Sequence, residues 1–270
     1  MLDPQQRRLL TDIVRAPQGY EFDQAIACTY SLDLMALASI PLLAQGHESD
    51  ALTASSEGAS RGGPLAGKEC LRRAMSRYSV FCQSGALHVP EQPRPLFLWL
   101  ERSVVEVQVP AGNGPGVFHP KLWLLRFVNE VDAVRYRLIV LSRNLTFDRS
   151  WDVVATLEGD FTGRKNRISA SVPISEFVTA LGSEIPSIRP LAPEHRDRIR
   201  LFAEEVARVQ FLADGECESW VFWPIGIKGH RYAVKDLFAS EASPFASWFR
   251  KSKAESSLKC NGFGSKRVPL

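Results

Sequence analysis

In the stretch VFHPKLWLLRF, residues 117 to 127, a histidine and a lysine stand two apart inside an otherwise apolar, β-prone run. Side chains two apart on a strand point to the same face, so His119 and Lys121 are expected to project together. After twenty intervening residues the apolar run LIVL leads into Ser142-Arg143-Asn144, and Asp148 and Asp152 follow. A neutral imidazole can attack phosphorus, and an ammonium can hold a non-bridging oxygen as a point charge. An amide and a hydroxyl can donate to the remaining oxygens. The set suits phosphodiester chemistry, with His119 as nucleophile, Lys121 and Asn144 on the phosphate and Ser142 as a further donor.

Each of these residues also has a bland role open to it. Lys121 could snorkel from a strand edge, His119 could cap the glycine-rich turn before it, and Asn144 could be a left-handed turn residue. A lone H-x-K is common in a chain of this length. The S-x-N at the end of the next apolar strand raises the pair above chance. Arg143 and Arg149 beside the turn are candidate substrate contacts, and Trp151 is a candidate stacking platform. Arg61, Arg72, Arg73 and Arg126 could extend a phosphate-binding rim.

The elements that must position these groups read as an α/β chain. Residues 4 to 15 have helical spacing with Asp3-Pro4 at the start, FDQAIACTY reads as a strand, and the apolar run after Ser31 reads as a helix capped by that serine. Residues 47 to 67, rich in Ser, Gly and Ala, read as a loop. A helix over KECLRRAMSRY, a strand broken near Gly85, and a helix-then-strand over PRPLFLWLERSVVEVQV follow. Residues 117 to 161 read as three adjacent strands, the middle one buried on both faces. Polar groups at strand ends in an α/β sheet are where sites tend to lie.

Beyond residue 165, VPISEFVTALGS and APEHRDRIRLFAEEVARVQFLA carry helical periodicity, the second with Ile199, Phe202, Val206 and Val209 on one stripe. Its charged run from Glu194 to Arg200 reads as a solvated face. ESWVFWPIGI reads as a strand, and the basic, aperiodic tail as disordered.

Composition narrows the function classes. The 270 residues carry 33 Lys and Arg against 30 Asp and Glu, a net charge of +3, so any basic footprint must be local. Five cysteines without a C-x-x-C pair or a histidine at zinc-ligand spacing read as free thiols. No run approaches the 18 apolar residues of a membrane span, and the N-terminus does not read as a signal peptide. The expectation is a soluble, cytoplasmic protein that binds no membrane.

H119-x-K121 followed by S142-x-N144 resembles the HKD motif of the phospholipase D superfamily, H-x-K followed by G-S-x-N. HPKLWLLRF with LIVLSRNLTFDRSWDVV looks most like the form in tyrosyl-DNA phosphodiesterases and bacterial phospholipase D-like nucleases. YEFDQAIACTYSLDLMAL resembles the opening strand and helix of bacterial two-motif members. The resemblance implies a phospholipase D-like fold, a central mixed β-sheet flanked by α-helices. It implies a metal-independent phosphodiesterase working through a covalent phosphohistidine, with a second histidine protonating the leaving oxygen. The acidic position after the motif lysine is Arg126, as it can be in the tyrosyl-DNA phosphodiesterase branch, and the glycine before the motif serine is Leu141. The longer spacing from Lys121 to Asn144 implies an inserted hairpin at 128 to 136. Asp152 lies near the place where the family has a group orienting the nucleophilic histidine.

A complete family site needs two such motifs, and this sequence carries one. His47, His88, His195 and His230 lack a lysine two positions on. Two chains would then pair as a homodimer, or the second motif would come from a partner subunit or a further half of a longer protein. Residues 1–190 are expected to form the catalytic domain, 191–250 a helix and the start of a second half, and 251–270 the tail. The resemblance implies DNA as the substrate and roles such as repair or phage defence. The alternatives are a non-catalytic nucleic-acid-binding or assembly subunit, and phospholipid hydrolysis, which the Arg126 position and the absence of an amphipathic membrane-binding helix disfavour.

Overall fold

The computed structural model of the protein describes residues 9–44, 72–91, 95–109, 116–147, 152–163, 165–213 and 219–227. Expectations for Asp3-Pro4, the 47–67 loop, the 251–270 tail, Asp148, Arg149 and Trp151 fall outside them. The chain divides into two compact units, residues 1–222 and 223–270. The first holds the sheet.

That sheet has seven strands: β1 (Glu21–Thr29), β3 (Tyr78–Gln83), β5 (Val104–Val107), β6 (Leu122–Val128), β7 (Val134–Leu141), β8 (Val154–Phe161) and β9 (Leu212–Ala213), in the order β5-β3-β1-β6-β7-β8-β9. β1, β3 and β5 run parallel, and each of β6 to β9 is antiparallel to its neighbour on the β1 side. A two-residue pair, β2 (Leu32–Asp33) with β4 (Leu87–His88), stands apart. The helices with both ends among the described residues are α1 (Leu10–Val14), α2 (Leu34–Ala44), α3 (Pro95–Glu101), α4 (Val172–Ser183) and α5 (Pro193–Val206), and residues 72–75 are also helical. This is the expected architecture of a central mixed sheet between helices.

β1 is central because both of its faces are apolar from Ala25 onward, the pattern of a strand covered on both sides. Ala25, Ala27, Trp123, Leu125 and Ile139 pack in one core with Leu37 and Ile40 of α2 and Val14 of α1. Ile26, Leu124 and Leu138 are cross-strand neighbours on the opposite face. On that face Tyr136 meets Phe202 of α5 edge to face at 5.4 Å. Ile199, Phe202, Val206 and Val209 are all buried, as their stripe predicts. Gly159 in β8 is required by packing: a Cβ there would collide with the Gln210 carbonyl oxygen.

Three readings of the sequence are corrected here. The cap of α2 is Asp33 rather than Ser31: its Oδ1 accepts from the Met35 N–H at 2.7 Å and the Ala36 N–H at 3.3 Å, while the Ser31 carbonyl accepts from the Thr29 hydroxyl. ESWVFWPIGI forms no strand over its described residues; its aromatic side chains instead pack sideways, Trp220 on Phe211 and Phe222 on Phe177. α4 and α5 pack together within the first unit. The charged run of α5 is not a wholly solvated face, because His195 and Arg198 are each 6% exposed.

Those two buried groups are satisfied by the sheet. Arg198 donates to the Ser79 hydroxyl, the Ser76 carbonyl and the Gln24 side-chain oxygen, at 2.6 to 2.9 Å. The Ser79 hydroxyl in turn meets His195 Nδ1 at 2.7 Å, and His195 Nε2 lies 3.0 Å from the Arg102 carbonyl. One tautomer satisfies all of this: Nε2–H donates to Arg102, and Nδ1 accepts from Ser79. Burial pushes the His195 pKa down; the Arg102 carbonyl and Glu194 oppose that, and the Arg198 cation adds to it. A depressed folded pKa means that the fold favours the neutral form of His195. Its contribution to stability is present above the ordinary histidine value of about 6.5 and is lost as pH falls through the lower folded value. The unfolding free energy of the protein is therefore expected to decline below about pH 6.5 more steeply than that of His195→Gln. Equal slopes for the two in urea titrations at several pH values would contradict this.

Candidate active site

The carboxyl ends of the parallel strands β1 and β3 share one edge of the sheet, and alternation of direction brings the start of β6, the end of β7 and the start of β8 to the same edge. Tyr30 and Gln83 lie at the first two ends. His119 and Lys121 immediately precede β6, Ser142 to Asn144 follow β7, and Asp152 precedes β8. Residues far apart in sequence meet here because antiparallel neighbours turn at a common edge.

The H-x-K segment is short and tethered on both sides. Phe118 is buried, and its N–H donates to Gln83 Oε1 at 2.7 Å. Pro120 fixes its own φ and offers no N–H, which costs nothing outside the ladder. The Lys121 carbonyl accepts from the Leu141 N–H at 2.9 Å, the first rung between β6 and β7. Behind it Leu122 to Leu125 are buried, and Trp123 is 1% exposed. The strand is thus anchored in the core while His119 stays exposed.

Lys121 and His119 touch, with Nζ 2.9 Å from Nδ1 and 3.1 Å from Nε2. An ammonium can donate only to a ring nitrogen that carries a lone pair, so the contact fits a neutral imidazole. Partial burial pushes the Lys121 pKa down from the ordinary lysine value. The Tyr30 ring lies 5.1 Å from the His119 ring at a 45° tilt. Tyr30 also reaches the other half of the site, since its N–H donates to Asn144 Oδ1 at 3.3 Å. With its oxygen held, Asn144 presents its NH2 group as the free-standing donor of the amide.

Asn144 is fixed from both sides. Its successor Leu145 is buried, bridges Leu32, donates to the Thr29 hydroxyl at 3.0 Å and accepts from the Asp33 N–H at 2.9 Å. Among the described non-glycine residues only Asp132, in the 129–133 turn of the β6–β7 hairpin, has a left-handed backbone. The bland role of Asn144 as a left-handed turn residue therefore does not apply.

Ser142 and Asp152 serve the turn. Asp152 Oδ1 accepts from the Ser142 N–H at 2.8 Å, the Ser142 hydroxyl at 2.6 Å and the Arg143 N–H at 3.1 Å. The Ser142 hydroxyl also accepts from the Val153 N–H at 2.9 Å. Its one proton is directed at Asp152, so Ser142 shapes the turn rather than offering a donor outward. Likewise the described hydrogen bonds of Asp152 run to the turn, not to His119.

Arg126 stands away from this edge. It lies five residues along β6 from Lys121, about 17 Å at the rise of a strand. Its guanidinium pairs with Asp23 and Glu205. It belongs to the packing of α5 on the sheet and not to a phosphate-binding rim. Arg143 is part of the S-x-N turn, its N–H held by Asp152.

Tyr30 and Gln83 were not legible as site residues. The available signal was their position at the ends of buried strands, but which strand ends lie beside H-x-K depends on strand order. Among the described residues, no set of His, Cys, Asp or Glu side chains comes together that could hold a metal ion, and no helix is long and apolar enough to cross a membrane.

Fold and site together define an α/β chain with one H-x-K pair and one S-x-N turn at a single sheet edge. No protein-family model and no curated protein matches the sequence. Among solved structures, that of yeast tyrosyl-DNA phosphodiesterase superposes with a TM-score of 0.42 at 12% identity over 74% of this chain and 37% of that one. A single-site variant of the same yeast enzyme gives 0.42 at 11% identity, over 77% and 38%. The chain spans under two-fifths of the length of these structures.

Proposed function

We propose that the chain is a phosphodiesterase of the phospholipase D type acting on nucleic acid, DNA above all, through a phosphohistidine on His119. The observation that carries this reading is the meeting of His119, Lys121 and Asn144 around Tyr30. The imidazole lone pair attacks phosphorus and forms an N–P bond as the P–O bond to the leaving group breaks. The leaving oxygen takes a proton from an acid, and water then attacks phosphorus, cleaves the N–P bond and frees the imidazole. The Lys121 ammonium and the Asn144 NH2 hold the non-bridging oxygens as charge builds on them. A bound phosphate would draw Lys121 from the ring to its oxygens, which frees the lone pair for attack.

The leaving-group acid in this reading is a second histidine, brought by a second copy of the chain, by a partner subunit or by a further half of a longer protein. The test is to trap the intermediate. Incubation with an oligonucleotide in EDTA, followed by rapid quench and peptide mass spectrometry, is expected to give an acid-labile, alkali-stable adduct on His119. Cleavage that needs added metal, or an adduct on another residue, would overturn the reading.

A further inference from the structure

We infer that Gln83 is the positioning residue that sets the angle of the His119 ring; for its catalytic consequence this rests on the phosphodiesterase reading above. Gln83 ends β3 and bonds to both of the segments that bracket the imidazole. Its N–H donates to the Tyr30 carbonyl at 3.1 Å, fixing the residue whose ring lies against His119. Its side-chain oxygen accepts from the N–H of Phe118, the residue before His119, at 2.7 Å. Its NH2 makes only a long contact, 3.4 Å, to the Ser84 carbonyl.

The oxygen of Gln83 is therefore the working atom. On the β7 side the H-x-K segment is held through the Lys121 carbonyl, and on the β3 side through this one side-chain acceptor. With Pro120 following it, His119 has no backbone ladder of its own. The backbone entering it turns about the Phe118 anchor. Losing that acceptor leaves a buried N–H unpaired and lets the imidazole swing against Tyr30 and Lys121. In-line attack on phosphorus depends on ring angle, whereas phosphate binding depends on Lys121 and Asn144, which are anchored elsewhere.

The experiment compares the full chain with Gln83→Met, which keeps the side-chain length without the acceptor, and Gln83→Glu, which keeps an acceptor but not the NH2. Turnover of an oligonucleotide is followed together with the ring 15N and 13C NMR resonances of His119, assigned by their loss in His119→Ala. Gln83→Met is expected to lower kcat by about 10- to 100-fold with KM within about twofold, the pattern of misplaced rather than unbound reactants. Its His119 resonances should shift and broaden. Gln83→Glu should restore both to near wild type. Unchanged kcat and resonances in Gln83→Met, or a Gln83→Glu variant as impaired as Gln83→Met, would overturn the inference. Should the wild-type chain show no turnover, the His119 resonances of the two variants alone decide whether Gln83 positions the ring, whatever supplies the leaving-group acid.

Discussion

Replacing His119 with alanine is expected to remove phosphodiester cleavage, lowering kcat by on the order of 10^4-fold or more, the scale seen when a covalent nucleophile is deleted. The reason is specific to this geometry. Lys121 and Asn144 can still bind a phosphate, so KM should change little, but neither can form a covalent bond to phosphorus. Water would have to attack unaided. The substitution should leave the fold intact, because His119 is exposed and its described contacts are the Lys121 ammonium and the Tyr30 ring. A stability change within about 0.5 kcal/mol is expected for such a site. Cleavage of a labelled oligonucleotide in EDTA, with urea unfolding of the same preparations, measures both quantities. Cleavage by His119→Ala within tenfold of wild type would dismiss the nucleophile.

Arg126→Met should be the most destabilising of the substitutions considered, by about 3–5 kcal/mol, because it removes the cation shared by two partly buried carboxylates. Arg126 Nε donates to Glu205 Oε2 at 2.8 Å and Nη2 to Oε1 at 3.1 Å, a two-pronged pair, while Nη1 holds Asp23. The Tyr136 hydroxyl donates to the same Glu205 at 2.7 Å. Burial disfavours the arginine charge, and the two carboxylates more than offset it, so its pKa lies above the ordinary arginine value. Without the guanidinium, Glu205 and Asp23 lose the cation that pairs them at a partly buried position. The loss reaches across the molecule, since these groups join β1, β6 and β7 to α5. A drop below 1 kcal/mol in urea unfolding would show that solvent replaces the arginine. The same substitution lies far from the H-x-K edge, so residual folded protein should keep its KM.

The elements were largely legible in the sequence because burial repeats along them. The apolar run LIVL announced β7 as a strand, although only Leu138 and Ile139 of it are buried and Val140 is exposed, and the α5 stripe from Ile199 to Val209 announced its packed side. ESWVFWPIGI shows the limit of that signal. Its aromatic residues have high strand preference, yet over its described residues the segment packs its rings and forms no ladder. The Ser31 cap failed for a similar local reason: two acceptors stood close together before α2, and the aspartate two positions on reached the helix N–H groups.

The sequence by itself determined the chemical groups of the candidate site and their local pairing, since H-x-K and S-x-N each lie within one turn of chain. It could not tell whether the two meet. The sheet order decided that, by setting β6 between β1 and β7 so that Tyr30 touches both His119 and Asn144. The same is true of the buried charges. His195 and Arg198 read as solvent-facing because periodicity reports only a residue's own helix, whereas their partner Ser79 lies 116 and 119 residues away and arrives only when α5 packs on β3. Short-range pattern fixes which side chains share a face, and long-range packing alone supplies the partner that lets a polar group stay there.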